Sequence, residues 1–192
     1  MTYYAQVYYK MIETLYGPVQ QHILDKAQTL QLLICDIDGV FSDGRIYMGN
    51  DGEELKAFHT RDGFGVKSLL NAGIEVAVIT GRQSSIVAKR MQGLGVQHIY
   101  QGQDDKVVAF TMLLDKLGLS AEQVGYIGDD VIDLPVMNRC GLSVAVADAH
   151  PLVKKSADFN TSIRGGFGAV RELTDLILFA KGFLAQAQGT SV

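Results

Sequence analysis

Asp36 and Asp38 stand two residues apart, directly after the apolar run Leu32-Leu33-Ile34-Cys35. A short continuous apolar run reads as a buried strand. The two carboxylates therefore fall at the edge of a core, where an unpaired charge is expensive. A nucleophilic carboxylate beside an acid/base carboxylate, with a metal cation between phosphate and protein, is a chemistry that justifies the arrangement. Gly39 follows and permits a sharp turn where the strand ends. The plainer alternative is that each aspartate caps a helix or forms a turn.

Further polar motifs follow other apolar runs. Residues 74–79 lead into Thr80-Gly81-Arg82, Lys106 sits near the start of a helical stretch, and residues 125–127 lead into Gly128-Asp129-Asp130, with Asp133 beyond. In open α/β sheets ligands bind past the carboxyl ends of the strands, so these groups are expected to converge. Asp36 is the expected nucleophile, attacking phosphorus to form an aspartyl-phosphate. Asp38 is the expected acid/base, protonating the leaving alkoxide and then taking a proton from water. The Asp36 and Asp129 carboxylates and the Asp38 main-chain carbonyl are expected to bind Mg2+. Thr80 and nearby main-chain N–H groups suit phosphoryl oxygens, and Lys106 suits the charge gathering on them. Asp130 and Asp133 are expected to orient metal-bound water or Lys106. Taken singly, Thr80 is ordinary strand-end chemistry and Lys106 a solvated helix lysine, and a surface position on the helix is the lesser alternative for Asp133. His22, His59, His98 and His150 show no paired ligand spacing and read as structural or surface groups.

The elements that must position these residues alternate. Strand-like runs at 30–35, 74–80, 97–100, 124–128 and 142–146 are separated by helical stretches at 65–71, 84–94, 105–117 and 134–139, and a last helix spans 168–186. This order predicts an α/β fold of Rossmann-like, three-layer type with a mainly parallel sheet. One segment departs from it: residues 44–58 flank Gly49-Asn50-Asp51-Gly52 and read as a protruding β-hairpin. Residues 1–29 form a leader holding five of the eight tyrosines, with Ile23, Leu24 and Ala27 as an apolar stripe. Residues 164–192 form a glycine-rich tail and the final helix.

The 192 residues suit one domain. With 47% hydrophobic and 20% charged residues the chain has an ordinary globular balance. A net charge of −4 does not favour nonspecific binding to nucleic acid or a membrane surface. No apolar run is long enough to span a membrane and no secretory signal is evident, so a cytoplasmic location is expected. Cys35 and Cys140 lack metal-ligand spacing and read as reduced, buried thiols rather than a disulfide.

Asp-x-Asp-Gly at 36–39, Thr80, Lys106 and Gly-Asp-Asp-x-x-Asp at 128–133 resemble the haloacid dehalogenase superfamily of phosphotransferases. A closer likeness extends over Tyr47-Met48-Gly49-Asn50, residues 52–58, Arg61-Asp62-Gly63, Tyr100-Gln101-Gly102, residues 141–151 and Gly168-Ala169-Val170-Arg171-Glu172. These stretches are similar to the branch that acts on sugar-acid phosphates. The likeness implies Mg2+-dependent hydrolysis of 3-deoxy-D-manno-octulosonate 8-phosphate in lipopolysaccharide precursor synthesis. It also implies a homotetramer with sites at subunit interfaces. A nonulosonate 9-phosphate substrate, or an inert assembly module of the same fold, are the alternatives. Many superfamily members carry a cap domain over the site. Here the gap from Asp38 to Thr80 holds only the hairpin and one helix, and that from Lys106 to Asp129 one helix, so no cap domain is expected. A neighbouring subunit would then supply the missing wall, through a hairpin with Ile46, Met48, Leu55 and Phe58 to bury. The Arg164-Gly165-Gly166-Phe167-Gly168 segment either closes over a neighbour's site, as the likeness suggests, or is a linker. Gly81 and the guanidinium groups of Arg61, Arg82 and Arg164 are expected to bind the small anionic substrate.

Overall fold

A computed structural model describes residues 10–187 of the chain. The expected apolar runs become strands of one six-stranded sheet. These are β3 (Leu32–Cys35), β6 (Glu75–Ile79), β7 (His98–Tyr100), β8 (Val124–Gly128), β9 (Leu142–Ala145) and β10 (Phe159–Asn160). The sheet order is β10-β9-β8-β3-β6-β7 and every pairing is parallel. All residues of β3, β8 and β9 are buried, as expected where helices cover both faces. The chain runs outward from β3 through β6 to β7, then returns to the other side of β3 as β8. The ends of β3, β6 and β8 therefore flank a topological switch point, where a crevice opens.

The helices are α1 (Gln21–Thr29), α2 (Thr60–Asn71), α3 (Ser85–Leu94), α4 (Lys106–Leu117), α5 (Leu134–Met137), α6 (Pro151–Ser156) and α7 (Ala169–Ala180). Helix α7 packs against α1 and α2, and α4 against α5. The Arg171 N–H donates to Asp62 Oδ1 at 2.8 Å, tying the start of α7 to the first turn of α2. The buried apolar side chains form one continuous cluster. Among the described residues no helix is long and apolar enough to cross a membrane. Cys35 and Cys140 are unpaired, and burial raises both thiols, that of Cys140 to about 12.

Three differences from the sequence reading have local causes. Residues 10–29 carry an antiparallel hairpin, β1 (Met11–Thr14) and β2 (Gly17–Gln20), before α1. Gly17 takes φ +108° at the turn, and the Tyr16 hydroxyl donates to Asp175 Oδ2 at 2.8 Å, anchoring the hairpin on α7. Ile23, Leu24 and Ala27 are the buried stripe of α1, while Tyr3, Tyr4, Tyr8 and Tyr9 lie outside the described residues. The final helix ends at Ala180, where Gly182 adopts a positive φ, and a separate 3-10 turn follows at Leu184–Gln186. The glycine-rich segment packs on its own chain: Gly166 N–H donates to the Val40 carbonyl at 2.8 Å and Gly165 N–H to Asp148 Oδ1 at 3.0 Å. A Cβ on Gly165 would overlap the Gly39 carbonyl, so close backbone contact is what this position requires.

The second hairpin forms as β4 (Tyr47–Met48) and β5 (Glu54–Leu55), pairing Tyr47 with Leu55 and Met48 with Glu54. Gly52 takes φ +83° in its turn. Ile46, Tyr47, Met48 and Leu55 are exposed. Phe58, expected to join that surface, instead packs against the chain's own core.

Candidate active site

The strand ends converge as the sheet order requires. A cleft of about 270 Å3 is lined by Asp36 and Asp38 after β3, by Thr80, Gly81 and Arg82 after β6, and by Asp129 and Asp130 after β8. Gly44 and Ile132 complete the wall. A larger cavity, about 380 Å3, lies beside α2 and α7 and is lined without a charged side chain, so the chemistry belongs to the smaller cleft.

Asp36 continues the pairing of β3 with β8, its N–H donating to the Ile127 carbonyl at 3.0 Å. The residue is 4% exposed. Burial raises its pKa to about 6, against the pull of Lys106 and with a further push from Asp133. Lys106 enters from the first turn of α4, and its Nζ lies 2.9 Å from Asp36 Oδ1 and 2.7 Å from Asp133 Oδ1. Burial would discharge this ammonium, but the Asp36 and Asp133 carboxylates outweigh it and hold its pKa above the ordinary lysine value.

Asp133 is fully buried and uses both oxygens. Oδ1 accepts from Lys106 and, at 2.7 Å, from the Tyr126 hydroxyl. Oδ2 accepts from the N–H groups of Asp129 at 3.0 Å and Asp130 at 3.2 Å. One side chain thus fixes both the lysine and the loop after β8. Asp130 is exposed, and its carboxylate accepts from the Val131 N–H at 2.7 Å, a helix-cap contact rather than one with Lys106. Thr80 is 3% exposed, and its N–H donates to the Tyr100 carbonyl at 2.9 Å, joining β6 to β7.

The carboxylates fit a divalent cation. Oxygens of Asp36, Asp129 and Asp133 lie within 4.8 Å of one another. Asp36 Oδ1 is buried without a hydrogen-bond partner, its approach to Lys106 being an ion-pair contact outside hydrogen-bonding geometry. Burial, then the nearby charges of Asp36 and Asp133, push Asp129 up to about 8. Because the oxygens of Asp133 are already taken by four donors, Asp36 and Asp129 are the pair with capacity for a metal. Gly39 makes their approach possible: it takes φ +92°, and a Cβ there would overlap the Asp129 carboxylate.

Two of the expected anion-binding arginines stand apart from this cleft. Arg61 is exposed in the first turn of α2, and the Arg164 guanidinium stacks 4.7 Å from the Phe167 ring centroid. Arg82 does line the cleft, 45% exposed, with Nε 3.8 Å from Asp38 Oδ2. Two partners were not expected from sequence. Tyr126 has a hydroxyl on an otherwise apolar buried strand, and that hydroxyl had to find an acceptor. Lys56, directly after the second hairpin, reaches Asp38. Its one sequence signal is Glu54 two positions earlier.

A profile of the haloacid dehalogenase-like hydrolases matches residues 95–164, which include Lys106, Asp129 and Asp133. The 3-deoxy-D-manno-octulosonate 8-phosphate phosphatase of Salmonella typhi is 56% identical over 181 residues, covering 94% of this chain and 96% of that protein. The crystal structure of the Yersinia pestis phosphatase of the same name superposes with a TM-score of 0.94 at 55% identity, covering 96% of this chain and 100% of that one. That of Moraxella catarrhalis, in complex with magnesium ion, phosphate ion and KDO, superposes with a TM-score of 0.85 at 40% identity, covering 86% of this chain and 95% of that one. The chain belongs to the 3-deoxy-D-manno-octulosonate 8-phosphate phosphatase family of haloacid dehalogenase-like hydrolases.

Proposed function

We propose that this protein hydrolyses 3-deoxy-D-manno-octulosonate 8-phosphate to the free sugar acid and inorganic phosphate, in lipopolysaccharide precursor synthesis. The observation that carries the proposal is the convergence of Asp36 and Asp129 in one cleft, with Lys106 held against Asp36, in a chain so similar to phosphatases of that name. Asp36 attacks phosphorus and the bond to the C8 oxygen breaks, leaving an aspartyl-phosphate. Asp38 gives its proton to that departing oxygen, then takes one from the water that attacks the aspartyl-phosphate and releases phosphate. Thr80 and the Gly81 N–H hold phosphoryl oxygens, and Lys106 offsets their charge in transit. Asp36, Asp129 and the Asp38 carbonyl hold Mg2+, which when bound offsets the repulsion between phosphate and carboxylate. Asp133 keeps Lys106 charged and in place, and Asp130 shapes the loop beside it.

The single domain works without a cap, so its cleft is open on one side. We assign the missing wall to neighbouring subunits of a homotetramer. The exposed apolar residues of the second hairpin support this assembly. Arg82 faces the substrate from its own cleft, and Arg61 and Arg164 suit a subunit boundary. A cytoplasmic location agrees with two unpaired thiols.

The test is Mg2+-dependent phosphate release from a panel of sugar phosphates, with kcat/KM compared between the octulosonate 8-phosphate and nonulosonate 9-phosphates. The octulosonate ester is expected to be preferred. A higher kcat/KM for the nine-carbon acids would reassign the substrate, and no release from any ester would leave an inert module of the same fold.

A further inference from the structure

The Lys56 side chain is 0% exposed although it directly follows a protruding hairpin. An ammonium taken out of water costs several kcal/mol, about the scale found for buried ions, unless it is paired. Its partners are Asp38 Oδ1, in a charge-assisted hydrogen bond, and Glu54 Oε1 at 3.3 Å. Glu54 in turn holds Arg82, 2.9 Å from Oε2, and Arg82 Nε faces Asp38 Oδ2. Asp38, Lys56, Glu54 and Arg82 thus close a ring joining the loop after β3, the second hairpin and the loop after β6. Ser42 Oγ adds a second, longer contact to Asp38 Oδ1 at 3.3 Å. One oxygen of the acid/base is therefore held from the hairpin side, while the other is turned toward Arg82 on the cleft wall.

We propose that Lys56 is a positioning residue for proton transfer by Asp38. It fixes Asp38 through Oδ1, so that Oδ2 is the oxygen presented to the leaving group. The inference rests on the acid/base role given to Asp38 above. In the first half-reaction the Asp38 O–H bond breaks, the proton joins the departing ester oxygen as the P–O bond breaks, and Asp38 becomes a carboxylate. Lys56 already lies where that negative charge appears. Its attraction therefore grows toward the transition state, which is the condition for lowering a barrier. In this half-reaction the benefit is confined to esters whose leaving oxygen needs a proton, whereas hydrolysis of the aspartyl-phosphate is common to all esters.

This restriction supplies the test. Lys56→Met and Lys56→Arg are assayed, with Mg2+, on the sugar 8-phosphate, an alkyl ester, and on p-nitrophenyl phosphate, whose phenolate leaves without protonation. General acid catalysis is worth about a hundredfold or more. Impaired positioning in Lys56→Met is expected to lower kcat/KM, which reports the first half-reaction, at least about tenfold more for the alkyl ester than for the aryl ester. Lys56→Arg should recover part of that ratio. Equal losses in kcat/KM on both esters, or no loss on the alkyl ester, overturn the role of Lys56, and Lys56→Gln replaces Lys56→Met if the latter does not fold. Wild-type protein that releases phosphate from neither ester overturns the phosphatase reading, and this inference with it. An active wild type with equal losses in the variant overturns the inference alone.

Discussion

Lys106 Nζ and Asp133 Oδ1 lie 2.7 Å apart, and the other oxygen of Asp133 accepts the main-chain N–H groups of Asp129 and Asp130. A buried carboxylate thereby couples the position of the lysine to that of the loop after β8. Removing it leaves Lys106 with Asp36 as its one remaining counter-charge and takes the acceptor from Tyr126 and from the Asp129 and Asp130 N–H groups. Asp133→Ala is expected to cost about 3–5 kcal/mol, the range for breaking a buried pair, and to lower the melting temperature by on the order of 10 °C. Phosphate release should be lost with it. Asp133→Asn, which keeps an acceptor for Lys106, should retain more stability. Calorimetry of both variants checks the order.

Asp36→Asn separates chemistry from folding. The amide is a poor nucleophile, so turnover should fall below about one thousandth of wild type, in line with losses seen when a nucleophile is removed. Lys106 keeps Asp133 as its counter-charge, and the cost of burying a second carboxylate disappears. The metal-free variant should therefore melt no lower than wild type. Substantial turnover would remove the aspartyl-phosphate step.

Gly39→Ala tests the close approach of the two loops. The residue would have to hold φ +92° and its Cβ would meet the Asp129 carboxylate. Backbone strain of this kind costs about 1–3 kcal/mol, and displacement of Asp129 should weaken Mg2+ binding. The expected result is a folded protein whose melting temperature no longer responds to Mg2+. An unchanged response would place the cation elsewhere.

Metal and pH should act together. Burial raises Asp36 to about 6 and Asp129 to about 8, so the metal-free fold penalises their charged forms. Stability from this source is complete below the ordinary aspartate range and is lost as pH rises through about 6 and then about 8. Without metal, the melting temperature should fall over that window. Mg2+ binds the deprotonated carboxylates, so its effect should be largest at the alkaline end. At a hundredfold excess over Kd the gain is about 2.7 kcal/mol, which corresponds to about 5–10 °C for a chain of this size. Thermal scans with Mg2+ and with chelator at several pH values read this directly.

Assembly can be challenged at the second hairpin. Met48 and Leu55 are 75% and 64% exposed. Glutamate at both positions would place like charges in a subunit contact built on the hairpins. Light scattering should report species smaller than a tetramer, and kcat/KM for the sugar phosphate should fall. A wild-type protein that is monomeric while fully active would remove the shared-wall reading.

Much of the site was legible before any contact was known. Apolar runs mark strands because a strand buried on both faces needs every side chain apolar, and Asp36, Thr80 and Asp129 each follow such a run. The β1–β2 hairpin was not legible, because its strands are short and only half-buried. Strand β10 has two residues and takes its conformation from β9.

By itself the sequence determined the reactive groups, their order along the chain and the strand ends that carry them, because burial and turn preferences are local properties. Only the tertiary structure decided what stands beside each group. It put Lys106 between Asp36 and Asp133, set Asp130 to capping a turn, left Arg61 and Arg164 outside the cleft and brought Lys56 to Asp38 from 18 residues away. Those pairings depend on sheet order and on the close packing of Gly39 and Gly165. They are resolved only when distant segments compete for the same space and the same charge.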